Sequence, residues 1–261
     1  MIPALKAEFR KLLTVRSTYF ITLFALALLT FISLYVEGYK NGKDSVAAGG
    51  SLYLAGSITQ HSGILALFGA IVALLLLAHE YRYSTIVYTF TNARSRSKVL
   101  LAKMIVVFTY VLGLTIVGTA LGLWLMTVGL HWAGVLLPHQ DLSLTTYFAK
   151  TLFYTEGYAL AGLLIIALIR NQVAALVVLF FEPGTFEALM SLLLKHNSVY
   201  MPFMALAQVV SAPVKEFAQG RQRILPDTGY LSPGKGALVF GIYLVVGWLI
   251  AWYFFVKRDA K

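Results

Sequence analysis

The sequence predicts an all-α integral membrane protein with six transmembrane helices, and two observations carry that prediction. The first is composition. Of 261 residues, 59% are hydrophobic and only 12% are charged, with a mean hydropathy of +0.78. A soluble domain carries roughly 25% charged residues. The second is spacing. Apolar runs of roughly 20 residues, the length that crosses a bilayer as a helix, recur six times and with their loops use up the chain. No stretch is left for a separate soluble catalytic domain. The first run is too long for a signal-peptide core and lacks a small-residue cleavage site after it, so it is expected to be retained.

Residues 2–16 precede that run and form an amphipathic helix. Leu5, Phe9, Leu12 and Leu13 fall on one face, while Lys6, Glu8, Arg10 and Lys11 fall largely on the other. Pro3 suits the first turn. A helix of this kind lies in the headgroup plane with its basic residues toward anionic lipid. The first span is expected at Thr18–Val36, followed by a polar, glycine-rich loop from Glu37 to Ser57. The later spans are expected at Ile58–His79, Met104–Leu130, Tyr147–Ile169, Val173–Leu194 and Ala237–Val256. Arg170-Asn171-Gln172 makes a tight turn between the fourth and fifth spans. Glu182-Pro183-Gly184 interrupts the fifth, because proline removes a backbone donor and kinks a helix. In the region 195–235, the apolar piece Val199–Val210 is too short to cross and is expected to be re-entrant or interfacial.

Lysine and arginine are denser on the side that holds Lys6, Arg10, Lys11, Arg16, Arg82, Arg94, Arg96, Lys98, Lys103 and Arg170. The opposite loops are longer and carry fewer. The positive-inside rule therefore puts both termini, and the stretch Glu80–Lys103, in the cytoplasm. That stretch, EYRYSTIVYTFTNARSRSKVLLAK, is the longest segment built to be gripped by something in water. Ser84 and Thr85 can cap a short helix with an aliphatic and aromatic face through Ile86, Val87, Tyr88 and Phe90. Asn92 ends it, and Ser95 and Ser97 start the next helix. So many apolar side chains need a covering surface, which is a partner, lipid, or another part of the chain.

Several chemistries are excluded or unsupported. With no cysteine there is no disulfide, thiolate metal site or thiol nucleophile. His79-Glu80 begins a zinc-helix pattern, but the partner position four residues on is Tyr83. Gly229–Lys235 fits the first seven positions of a phosphate-binding loop and fails at the eighth, where Gly236 replaces the hydroxyl residue that reaches magnesium. The net charge of +10 lacks the continuous basic face that nucleic acid requires. Glu156 and Glu182 are ionisable groups in apolar runs, either lining a pathway or pinning structure, and Pro183 marks the kink beside Glu182. Gly118 and Gly122 form a GxxxG motif, suited equally to packing within the chain or to pairing of two chains.

Taken in order, KAEFRKLLTVRS (Glu8, Lys11, Thr14, Arg16), HEYRYST (Glu80, Arg82, Ser84, Thr85), Arg94, Arg96, Lys103, Arg170-Asn171-Gln172, Glu182-Pro183 and Tyr200-Met201-Pro202 resemble one family. It is the permease subunit of type-2 ATP-binding-cassette (ABC) exporters, of the bacitracin-export and multidrug-efflux kind. The resemblance implies a single permease domain over 1–261, paired with a second copy as a homodimer and docked to a separate ATPase subunit. ATP and magnesium would sit on the partner, with no cofactor on this chain. The residues implied for ATPase coupling are Glu80, Arg82, Ser84, Thr85, Tyr88, Asn92, Arg94 and Arg96. Lys6, Phe9, Arg10 and Lys11 belong to the interfacial helix that moves with them. A secondary transporter or channel working without ATP, and a non-transporting resistance or scaffold subunit, are the alternative readings.

Overall fold

A computed structural model describes residues 2–49, 52–86, 96–136, 144–210 and 230–257. These residues are almost entirely helical, with no strand among them. Helix α1 (Ile2–Thr14) turns at Val15 into α2 (Arg16–Phe31), which continues as a π-helix over Ile32–Lys40. Then follow α3 (Gly42–Gly49), α4 (Leu52–Arg82), α5 (Arg96–Trp132) and α6 (Leu144–Ile169). Helix α7 (Gln172–Phe181) passes through a π segment, Glu182–Phe186, into α8 (Glu187–Leu194) and a 3-10 turn, Lys195–Tyr200. The short α9 (Pro202–Val210) precedes α10 (Pro233–Lys257). Six helical stretches are long and apolar enough to cross a membrane: Arg16–Lys40, Gly56–Arg82, Ser97–Trp132, Leu144–Ile169, Gln172–Tyr200 and Pro233–Phe255.

The six expected spans are all present, but the boundaries move. The amphipathic helix stops at Thr14, two residues early. The glycine-rich loop expected over Glu37–Ser57 is not a loop where it is described. The π-helix runs through Glu37 to Lys40, and α3 and the start of α4 take up most of the rest. Tertiary contact overrides the local turn signals here. The Glu37 side chain is buried and bonded to His61, and the Tyr53 hydroxyl donates to the Glu37 carbonyl oxygen at 2.7 Å. The break expected at Glu182-Pro183-Gly184 is a π segment instead, which absorbs the missing proline donor by inserting into the helix rather than ending it.

The core lies between α4 and α6. Ala70, Leu74 and Leu77 of α4 and Ala159, Leu163 and Ile166 of α6 belong to it, all buried. The second, third and fourth spans are half or more buried, whereas the first, fifth and sixth are mostly exposed. Leu192 and Leu193 on α8, and Leu238 and Leu249 on α10, are among the large apolar side chains left outside.

The GxxxG motif of α5 packs within the chain. A side chain at Gly118 would strike Leu65, and one at Gly122 would strike the His61 ring. Two turns further along, Gly129 meets Gly38 of the first span so closely that a Cβ on Gly38 would stand 2.7 Å from the Gly129 Cα. No rotamer change relieves a clash with backbone. Gly129→Val is therefore expected to push the first and third spans apart and to cost several kcal/mol, on the order of an overpacked core site or more. A loss of monodisperse protein on size-exclusion chromatography, with Gly113→Val at an open position as the control, measures it.

Candidate functional site

At the end of the bundle that carries α1, four charges meet, three of them buried and Lys11 half-buried. Lys103 on the second turn of α5 is fully buried, yet it is a lysine. Its Nζ donates to Glu8 Oε2 and to Glu80 Oε1, each at 2.7 Å. Lys11 Nζ donates to the same Glu80 Oε1 at 2.6 Å and to Glu8 Oε1 at 2.8 Å. Each ammonium thus bridges both carboxylates, and the group is neutral as a whole. Desolvating four charges is costly, and only such mutual pairing offsets it. Burial by itself lowers the pKa of the Lys11 ammonium. The Glu80 carboxylate and then Glu8 outweigh it and hold the value above that of an ordinary lysine.

Three elements contribute. Helix α1 brings Glu8 and Lys11, three residues apart and so on one face. The last turn of α4 brings Glu80. The start of α5 brings Lys103. Leu12, buried beside them, and the half-buried Leu5 and Phe9 complete the attachment of α1 to the bundle. Helix α1 is therefore bolted to both helices that flank residues 83–95. Its polar face is not wholly solvated, as the sequence pattern suggested. Lys6 and Arg10 are exposed, but Glu8 turns inward and Lys11 is half-buried.

The predicted coupling residues divide accordingly. Glu80 and Lys103, expected within a segment held by a partner, instead face their own chain. Arg82 is exposed at the end of α4, its guanidinium over the Tyr83 ring at 5.6 Å. Ser84 and Thr85 are exposed in a turn, with Ser84 at a φ of 55°, and Ile86 is buried. Tyr88, Asn92 and Arg94 lie outside the described residues, and Arg96 opens α5. At the same end of the bundle, Arg170 takes a φ of 59°, and the Asn171 side chain accepts from the Ala174 N–H at 3.0 Å, capping α7. The tight turn is thus made as expected. The Arg170 guanidinium donates to the Phe254 carbonyl oxygen at 3.2 Å, tying that turn to α10.

Deeper in the spans, Glu156 is buried, and neither carboxylate oxygen has a partner among the described residues. Glu182 and Pro183 lie in the π segment. A neighbouring carboxylate, Glu187, pins the structure here. Glu187, fully buried, accepts from the backbone N–H groups of Phe203 at 2.8 Å and Met204 at 2.6 Å. These are among the free donors in the first turn of α9, which Pro202 opens. One carboxylate on the fifth span therefore caps a helix from a different part of the chain. A second pair missed by the sequence is Glu37 and His61, joined at 2.8 Å with Ser33 against the same ring nitrogen. The available signal was two titratable residues near the same ends of neighbouring apolar runs. No cluster of residues suited to a metal ion occurs among the described residues. Of the Gly229–Lys235 segment, Gly229 lies outside the described residues and Pro233 begins α10.

Six helices long and apolar enough to cross a membrane mark the class as a multi-pass membrane protein. The match to a known family is direct: residues 4–182, more than half of the chain, fit the ABC-2 family transporter protein. The chain belongs to that family. No curated protein matches it.

Proposed function

We propose that this chain is the membrane subunit of an ATP-driven exporter, working as a pair of permeases with a separate ABC ATPase. The observation that carries this reading is the buried quartet of Glu8, Lys11, Glu80 and Lys103 in a chain of the ABC-2 family. The segment that would sit in a cleft of the ATPase runs from Ser84 to Asn92, with Arg82, Arg94 and Arg96 around it. Displacement of that segment moves α4 and α5, and the quartet makes α1 move with them. Both termini and this segment lie in the cytoplasm of a bacterial-type inner membrane, in keeping with the lysine and arginine density. ATP and magnesium belong to the partner, which shifts the permease only by binding its two states with different affinity. A second copy covers part of the exposed apolar surface of the first, fifth and sixth spans. Glu156, unpaired among the described residues, is the candidate contact for cargo, which the aromatic-rich spans fit as an amphipathic or lipid-like molecule.

The test is the triple variant Arg94→Glu, Arg96→Glu, Tyr88→Ala, co-expressed with the ATPase and reconstituted in vesicles. ATPase stimulation by the permease is expected to fall to the level of the ATPase alone, with the permease still monodisperse. Stimulation equal to that of the native chain rejects the docking assignment.

A further inference from the structure

A cavity of about 270 Å³ opens beside the quartet, between the α1–α2 elbow and the last turns of α4. Leu12, Val15, Ile21, Val72 and Leu75 make its walls. An apolar cavity of only about 150 Å³ already accepts benzene, so this one admits the upper part of an acyl chain. Its rim is polar. Lys11, Ser17 and Glu80 line it. Glu80 is only 4% exposed, and its Oε2 has no hydrogen-bond partner among the described residues; the Ser17 Oγ is in the same position. A buried carboxylate oxygen without a donor is destabilising, and a bound N–H would relieve it. Lys11 has three N–H donors, and two of them go to Glu8 and Glu80.

The rim therefore offers, side by side, an unused acceptor on an anion and a cation with donor capacity to spare. The complement is a zwitterion that carries both an anionic oxygen and a cationic N–H, attached to an apolar chain. We propose that this cavity binds one phospholipid with a primary-amine zwitterionic head group, phosphatidylethanolamine in chemical class. Its ammonium donates to Glu80 Oε2, its phosphate meets Lys11, and one acyl chain follows Ile21, Val72 and Leu75. A choline head group has the same charges but no N–H, so Glu80 Oε2 stays unsatisfied. A glycerol head group has hydroxyl donors but no cation. The lipid enters sideways from whichever leaflet α1 lies on, so the site does not depend on the orientation of the chain or on an ATPase.

The full-length chain in nanodiscs, doped with phosphatidylethanolamine, phosphatidylcholine or phosphatidylglycerol bearing a photoreactive acyl chain, tests this by mass-spectrometric mapping. Labelling of peptides covering residues 12–21 and 72–83 is expected from the ethanolamine lipid at about ten-fold the level from the choline lipid, the effect of one hydrogen bond to a charged group. Ile21→Trp and Leu75→Trp, each of which fills the cavity, are expected to remove that labelling. Labelling of the exposed ridge at Leu192 and Leu193 serves as the control for folding and for ordinary surrounding lipid. Equal labelling by the ethanolamine and choline lipids means that only surrounding lipid touches the cavity, and overturns the proposal. So does labelling that persists in both tryptophan variants while the ridge is unchanged. Equal labelling by the glycerol and ethanolamine lipids removes Glu80 as the amine's partner and overturns the assignment of the head group.

Discussion

Replacing Lys103 with methionine is expected to detach α1 from the bundle. The substitution keeps the length of the side chain and removes its charge, leaving Glu8 and Glu80 buried with only the half-exposed Lys11 between them. Breaking a buried pair by removing one partner costs about 3–5 kcal/mol, because the remaining charge stays out of water. The cheapest escape is for Glu8 to return to solvent, and α1 must swing away to allow it. Amide hydrogen exchange is the direct measurement. Residues 2–14 should lose protection by two orders of magnitude or more, on the conversion of about 1.4 kcal/mol per ten-fold, while Ala159–Ile166 at the centre of α6 stay protected. Adding Glu8→Gln and Glu80→Gln to Lys103→Met removes the stranded charges and is expected to recover much of that protection. If protection of α1 is unchanged in the single variant, the quartet does not hold the helix.

The second large effect is expected at Glu187. Alanine there leaves the N–H groups of Phe203 and Met204 in the first turn of α9 without their acceptor. Each buried donor left unpaired costs about 1–3 kcal/mol. Helix α9 has nine residues, too few to be stable on its own in water. It should therefore loosen as a unit, with faster exchange over Phe203–Val210 and little change in α7. Glu187→Gln keeps one acceptor oxygen and should fall between the native chain and alanine. Equal protection of α9 in all three proteins would show that packing on α6 and α10 holds it without the cap.

These two sites mark where the sequence stopped being informative. The six spans were visible because apolar length is a local property. The cap of α7 was visible because Arg170, Asn171 and Gln172 are contiguous. The quartet was not visible as a unit, although Glu8, Lys11, Glu80 and Lys103 each stood in a recognisable stretch. A helical projection of α1 assigns Glu8 to the polar face unless an opposite charge awaits it, and Lys103 lies 95 residues away. The fifth span shows the same limit. Pro183 marks the kink beside Glu182, but which of two carboxylates reaches α9 depends on how far the π segment rotates the helix. The stretch after the first span failed for another reason. Glycine, serine and asparagine favour turns locally, and only the burial of Glu37 against His61 makes a helix the better solution.

The separation of Glu8 from Lys103 also bears on how the chain is made. Emerging at about 5–20 residues per second, the ribosome needs roughly 5–20 s to supply Lys103 after Glu8. During that interval the first two spans are made, Lys11 can already reach Glu80 on α4, and Glu8 still lacks its Lys103 partner. The neutral quartet closes only once the third span begins, which makes it a late seal in the order of synthesis.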